Sequence, residues 1–162
     1  MTSSTATADL ADRYPESIIV FPGPWVPMSR QCRCAGHVVT VRVDDDNSAV
    51  RDLLSRDGDG EILLVDGHGS KQCALLGDNL AALAVRHRWA GVIVYGCVRD
   101  RAALRQLDLA IWAIGTNPRK SGKEKTGEIN VPVSIEGVIV HPGDYLYADE
   151  DGIVVSRRAL HL

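Results

Sequence analysis

The chain has 162 residues, 45% of them hydrophobic and 24% charged, with a formal net charge of −3. That length suits one domain, and that composition excludes disorder, coiled coil and collagen-like repeats. The slightly acidic balance gives no general attraction to nucleic acid or anionic membranes. Residues 91–98 form the longest apolar run, far short of the roughly 20 residues that span a bilayer. The opening Met1-Thr2-Ser3-Ser4-Thr5-Ala6-Thr7 lacks the basic start and apolar core of a secretory signal, so a cytoplasmic protein is expected.

In chain order, residues 1–8 are small and polar and are expected to fray, leaving one domain over 9–162. A short helix over 9–14 is limited by Pro15, and 18–21 is strand-like. Pro22, Pro24 and Pro27 then impose an extended connector, because each fixes φ and removes a donor. Residues 36–43 alternate as a strand, and an Asp or Asn of 44–47 caps a helix over 48–55. The run 62–66 has the continuous apolar character of a strand covered on both faces. A glycine loop over 67–70 precedes a helix from Gly77 or Asp78 to about Arg88, then a buried strand over 91–96. A helix over 100–107, a strand over 109–114 and a basic loop over 117–123 follow. The last third reads as β and turns: 131–135, 138–140, a turn at 141–144, and 152–155. The class is α/β.

Several motifs carry less than they suggest. Gly67-x-Gly69 has Gln72 where a dinucleotide fingerprint needs glycine, and neither a phosphate-binding P-loop nor a nucleophile elbow is present. Cys32 and Cys34 stand too close for a structural zinc pair, so the four cysteines read as small core residues. His68 beside Asp66 reads as a solvated histidine rather than an acid–base pair, and the other four histidines match no metal spacing. The basic stretch Arg119-Lys120-Ser121-Gly122-Lys123 has no interleaved aromatic residues, so it reads as solvated surface or subunit contact rather than an RNA site. A catalytic metal, if used, is an oxygen-loving ion that keeps most of its waters.

One constellation does point to chemistry. A gap of twenty residues separates Asp78 from the pair Arg99-Asp100. The pair follows the carboxyl end of a predicted strand, where open α/β sheets place ligands. Gly77, Asp78, Asn79 and Leu80 open a predicted helix, whose free N–H groups and dipole attract an anion. Together these suit a carboxylate substrate and a divalent cation, with Arg99 gripping oxygens through its planar fork and Asp100 holding the ion. The competing reading is a helix cap at Asp78 and a surface pair at Arg99-Asp100.

With these residues in view, the chain resembles the RraA-like family, which includes the 4-hydroxy-4-methyl-2-oxoglutarate aldolases and regulators of ribonuclease E. The resemblance rests on Leu64-Val65-Asp66-Gly67-x-Gly69-Ser70, Gly77-Asp78-x-Leu80-Ala81, Gly96-x-Val98-Arg99-Asp100, residues 115–121, and Pro142-Gly143-Asp144-x-x-Tyr147-x-Asp149-x-x-Gly152. It implies a swivelling β/β/α-type sandwich, a homotrimer with its site at the subunit boundary, and a 2-oxo acid substrate handled with Mg²⁺ or Mn²⁺. It further implies that the N–H groups of Gly77 to Leu80 cradle the pyruvyl carboxylate. Arg99 then contacts the substrate's carbonyl or carboxylate oxygen, Asp100 anchors the cation largely through waters, and Asp78 orients a metal-bound water for proton transfer. Members that act as ribonuclease regulators often lack the acid at position 100, so its presence favours catalysis over a ribonuclease-type protein partner. The chain departs from the family at Met28-Ser29-Arg30, where many members have Gly-Gly-Arg.

Overall fold

A computed structural model of the chain describes residues 5–161. Two strands without a polar face form its centre, β4 (Ile62–Asp66) and β6 (Gly91–Val98), paired in parallel. Alternate side chains of β4 feed different cores. Leu63 and Val65 face the helices, and Ile62 and Leu64 face the other way, as the two-residue strand period requires. β3 (Cys34–Arg42) pairs in parallel with β4 from Val38 to Arg42, while its first half runs antiparallel to β11 (Tyr145–Asp149). One long strand therefore belongs to two sheets and folds one over the other.

The antiparallel side continues from β11 to β12 (Gly152–Ser156) and β1 (Ile18–Val20). The mainly parallel side continues from β6 to β7 (Ala110–Thr116) and ends on β2 (Val26–Pro27). Ile153, Val155 and Leu146 from the first side meet Ile62, Ile93 and Trp112 from the second in a shared core. That core also takes the hairpin β9 (Val133–Ile135) and β10 (Val138–Val140). On the far face of the parallel side lie α2 (Ser48–Leu54), α3 (Asp78–Arg86) and α4 (Arg101–Leu104). The layers are thus sheet, sheet and helices, the α/β sandwich that the resemblance implies. Among the described residues no helix is long and apolar enough to cross a membrane.

Local differences from the sequence reading have physical causes. α1 (Thr7–Arg13) starts inside the stretch expected to fray, because Thr7 is buried and donates both its N–H and its hydroxyl to Asp149, at 2.7 and 2.6 Å. Residues 1–4 of that stretch lie outside the described residues. The proline connector contains β2, with Pro27 tolerated because the strand is at an edge. Met28 is buried in the helical-side core, and Ser29 Oγ accepts the Ile111 N–H at 3.1 Å, so the departure at 28–29 fastens the connector to β7. The helix expected over 100–107 is a single turn over Arg101–Leu104 that buries Leu104. Besides β2, three strands went unassigned in the sequence: β5 (Ala74–Leu76), β8 (Glu128–Ile129) and β11.

Candidate active site

β5 and β6 are parallel neighbours that end side by side, with Leu76 opposite Val98. The Arg99 N–H donates to Leu76 O at 2.9 Å and extends that ladder by one bond. Chain leaving β5 at Gly77 therefore lies beside chain leaving β6 at Arg99. The twenty residues between Asp78 and Arg99 are the rest of α3, the turn over 87–90 and the return strand β6, which explains the spacing.

At this junction Asp100 adopts a left-handed conformation, with φ 61° and ψ 39°. That turn brings its carboxylate back toward α3, where Oδ2 accepts the Asp78 N–H at 3.1 Å. Gly77 permits the approach, since a Cβ there would sit 2.7 Å from Asp100 Oδ2. Helix geometry leaves the N–H groups of Asp78, Asn79 and Leu80 without intrahelical acceptors. Asp100 takes the first, and those of Asn79 and Leu80, on the wall of the same crevice, are available to a ligand or water. Gly77 makes no side-chain cap, so the dipole end of α3 faces the opening. Gly77, Asp78, Asn79, Leu80, Arg99 and Asp100 all line this one crevice. Asp78 and Asp100 are exposed and Arg99 is half-buried.

Other residues on the crevice wall were not assigned to the site from the sequence: Asn47, Arg51 and, from the stretch read as solvated surface or subunit contact, Lys120, Ser121 and Lys123. Lys123 Nζ donates to Asn47 Oδ1 at 3.2 Å, and Asn47 Nδ2 donates to Leu75 O at 3.4 Å. Buried Asp46 fixes the neighbouring backbone, accepting the Ser48 N–H at 2.9 Å through Oδ1 and the Glu124 N–H through Oδ2. Burial alone raises the Asp46 carboxyl, yet the donors from Ser48 and Glu124, with Lys123 nearby, bring it below the usual carboxylate range. Among the described residues no ion pair involves Arg51, Arg99, Lys120 or Lys123. The crevice therefore presents positive charge around two carboxylates.

The glycine loop after β4 is used internally. Gly67 and Gly69 both donate to Tyr95 O, Ser70 N–H donates to Gly67 O, and His68 N–H donates to Asp66 Oδ1. Its amides cradle no phosphate. The His68 ring stands 3.9 Å from Asp66 and is half exposed, away from the crevice wall. Cys73 and Cys97 are buried and Cys32 and Cys34 half-buried, all four as free thiols.

A metal requirement can be tested on the donor set. Among the described residues no three His, Cys, Asp or Glu side chains stand together, which does not fit a structural zinc or iron centre. An exposed Asp100 carboxylate with Asp78 beside it does fit a hard cation that keeps several waters and completes its shell with substrate oxygens.

The profile of the RraA-like family, Aldolase/RraA, matches residues 7–155, and the chain belongs to that family. An Alkalilimnicola ehrlichii protein provisionally named 4-hydroxy-4-methyl-2-oxoglutarate aldolase is 49% identical over 97% of this chain and 98% of its own length. Among solved structures, the RNA-processing inhibitor RraA from Thermus thermophilis superposes with a TM-score of 0.94 at 43% identity, covering 98% of this chain and 96% of that one. A Geobacillus kaustophilus structure described as an S-adenosylmethionine:2-dimethylmenaquinone methyltransferase also gives 0.94, at 41% identity over 96% and 97%.

Proposed function

We propose that the chain is a divalent-cation-dependent carbon–carbon lyase. It cleaves 4-hydroxy-4-methyl-2-oxoglutarate to two molecules of pyruvate and decarboxylates oxaloacetate, both through the enolate of pyruvate. The observation that carries this reading is the meeting of the Arg99 guanidinium, the Asp100 carboxylate and the open N-terminus of α3 in one crevice. Relatives named as aldolases of this substrate support it.

The N–H groups of Asn79 and Leu80 hold the substrate's C1 carboxylate at the positive end of the helix dipole. Arg99 donates to the C2 oxygen, where negative charge grows as the C3–C4 bond breaks, so its contribution is larger in the transition state than in the ground state. Asp78, exposed in the same crevice, orients the water through which the proton moves: the C4 hydroxyl loses one in the retro-aldol step and C3 gains one afterwards. Lys123 and Arg51 draw in the second carboxylate of the dianionic substrate. A magnesium or manganese ion held by Asp100 supplies, when bound, Lewis-acid stabilisation of the developing enolate.

Pyruvate release from both substrates, assayed with and without Mg²⁺ after chelation, tests the reading. Turnover that survives chelation would refute the cation's role, and no turnover of either substrate would refute the lyase. A second reading, a regulator that binds a ribonuclease, draws on the likeness to the RNA-processing inhibitor. Capture of an endoribonuclease together with absent 2-oxo acid turnover selects it. Assembly as a homotrimer, read by sedimentation, belongs to either proposal.

A further inference from the structure

Arg99 is central to the proposed chemistry, yet little holds its guanidinium. Among the described residues its hydrogen-bond acceptor is the Pro118 carbonyl, 3.4 Å from Nη1. A long side chain with five donors and one weak anchor takes its direction from wherever that carbonyl sits. The carbonyl's position in turn depends on the residue before it. Asn117 N–H donates to Val98 O at 3.0 Å, Nδ2 donates to Lys71 O at 2.6 Å, and Oδ1 accepts the Arg119 N–H at 2.9 Å. These bonds tie one residue to β6, to the loop after β4 and to its own turn. Pro118 C=O and Arg119 N–H share one planar peptide, so the bond from that N–H to Asn117 Oδ1, with the φ of Pro118 fixed by its ring, sets where the carbonyl points.

We propose that Asn117 is a positioning residue for the reaction. It clamps the loop after β7 so that Pro118 O aims the Arg99 guanidinium into the crevice. This role presupposes the Arg99 assignment made above. Asparagine is required because the side chain must donate to Lys71 O and accept from Arg119 N–H at once. Aspartate keeps the acceptor but sets a negative oxygen against the Lys71 carbonyl, and alanine loses both bonds.

A double-mutant cycle separates aiming from mere folding. Asn117→Ala and Asn117→Asp each lower kcat/KM for oxaloacetate by about tenfold, mainly through kcat, with Arg99 in place. On an Arg99→Lys background the same substitutions change kcat/KM by less than about twofold. Oxalate, a non-reacting mimic of the enolate, gives a second readout that needs no turnover. Its affinity should fall several-fold on Asn117→Ala in the Arg99 protein and stay level in the Arg99→Lys protein. Losses of equal size in both backgrounds, or a harmless Asn117→Ala, would overturn the positioning role. If Arg99→Lys itself alters neither turnover nor oxalate binding, the Arg99 assignment fails instead. Should Asn117→Ala fold poorly, the aspartate variant carries the cycle.

Discussion

Gly77 has φ −133° and ψ −167°, extended backbone that alanine adopts freely, so Gly77→Ala adds no backbone strain. The new Cβ would stand 2.7 Å from Asp100 Oδ2, with Arg99 Cγ next at 3.4 Å. The Asp100 carboxylate is the mobile partner, and it must retreat by roughly 0.7–1 Å to reach ordinary contact distance. That retreat stretches its 3.1 Å bond to the Asp78 N–H past useful geometry. The bond is solvent-exposed, so its loss costs only about 0.5–1 kcal/mol, or about 1–4 °C in Tm. Misplacing a cation-holding carboxylate by that distance costs activity far more, about 100-fold in kcat/KM. Pyruvate release and thermal melting measure the two effects. The double variant Gly77→Ala/Asp100→Ala should melt with Asp100→Ala alone, because the clashing oxygen is gone. Full activity and unchanged melting in Gly77→Ala would refute the placement of the Asp100 carboxylate against α3.

Asp100→Asn, similar in shape but without the charge, should lose at least about 100-fold in turnover at saturating Mg²⁺ while melting within a few degrees of the parent; near-normal kcat would contradict the cation assignment. Thr7→Ala should cost about 1.5–3 kcal/mol at neutral pH, because it removes a hydroxyl donor from a buried carboxylate. Burial raises the Asp149 carboxyl, but Thr7, the Asp151 N–H and Arg33 together hold it below the usual range. Its stabilisation is therefore complete above the ordinary Asp value near 4 and disappears as pH falls through the lower folded value. The gap between parent and Thr7→Ala should narrow below about pH 4, and a gap independent of pH would contradict the assignment. Burial, with Cys32 nearby, pushes the Cys34 thiol up to about 12. Burial and Asp45 push Cys73 up to about 11. A thiolate reagent at pH 8 should modify both far more slowly in the folded protein than after unfolding, and rapid labelling of the native state would contradict this.

The parts of the fold that were legible in the sequence are those whose signal is local. β4 and β6 are continuous apolar runs because both faces are covered, and α3 shows its buried face in Leu80, Ala81 and Ala84. The Asp78 and Arg99-Asp100 juxtaposition was legible for the same reason, since it follows from one helix and one strand between them. β5 escaped because three apolar residues between a glycine loop and Gly77 carry no periodicity. β11 escaped because Tyr145 and Asp149 at its ends resemble turn residues, and the donors from Thr7 and Asp151 that account for burying that carboxylate emerge only in the fold. Lys123 and Asn47 reach the crevice from segments far along the chain, brought there by the buried Asp46. Nothing in the basic loop distinguished a wall of the site from solvated surface, although its clustered charge was the available hint.

Proton exchange at the methyl group of pyruvate in deuterated water, followed by NMR, bears most directly on the enolate chemistry assigned to this crevice. It isolates formation and protonation of the enolate from carbon–carbon cleavage. The expected result is deuterium incorporation with Mg²⁺, lost on chelation and in Asp100→Ala and reduced but measurable in Arg99→Lys. Exchange at the uncatalysed rate with Mg²⁺ present, or exchange undiminished in both variants, would contradict it.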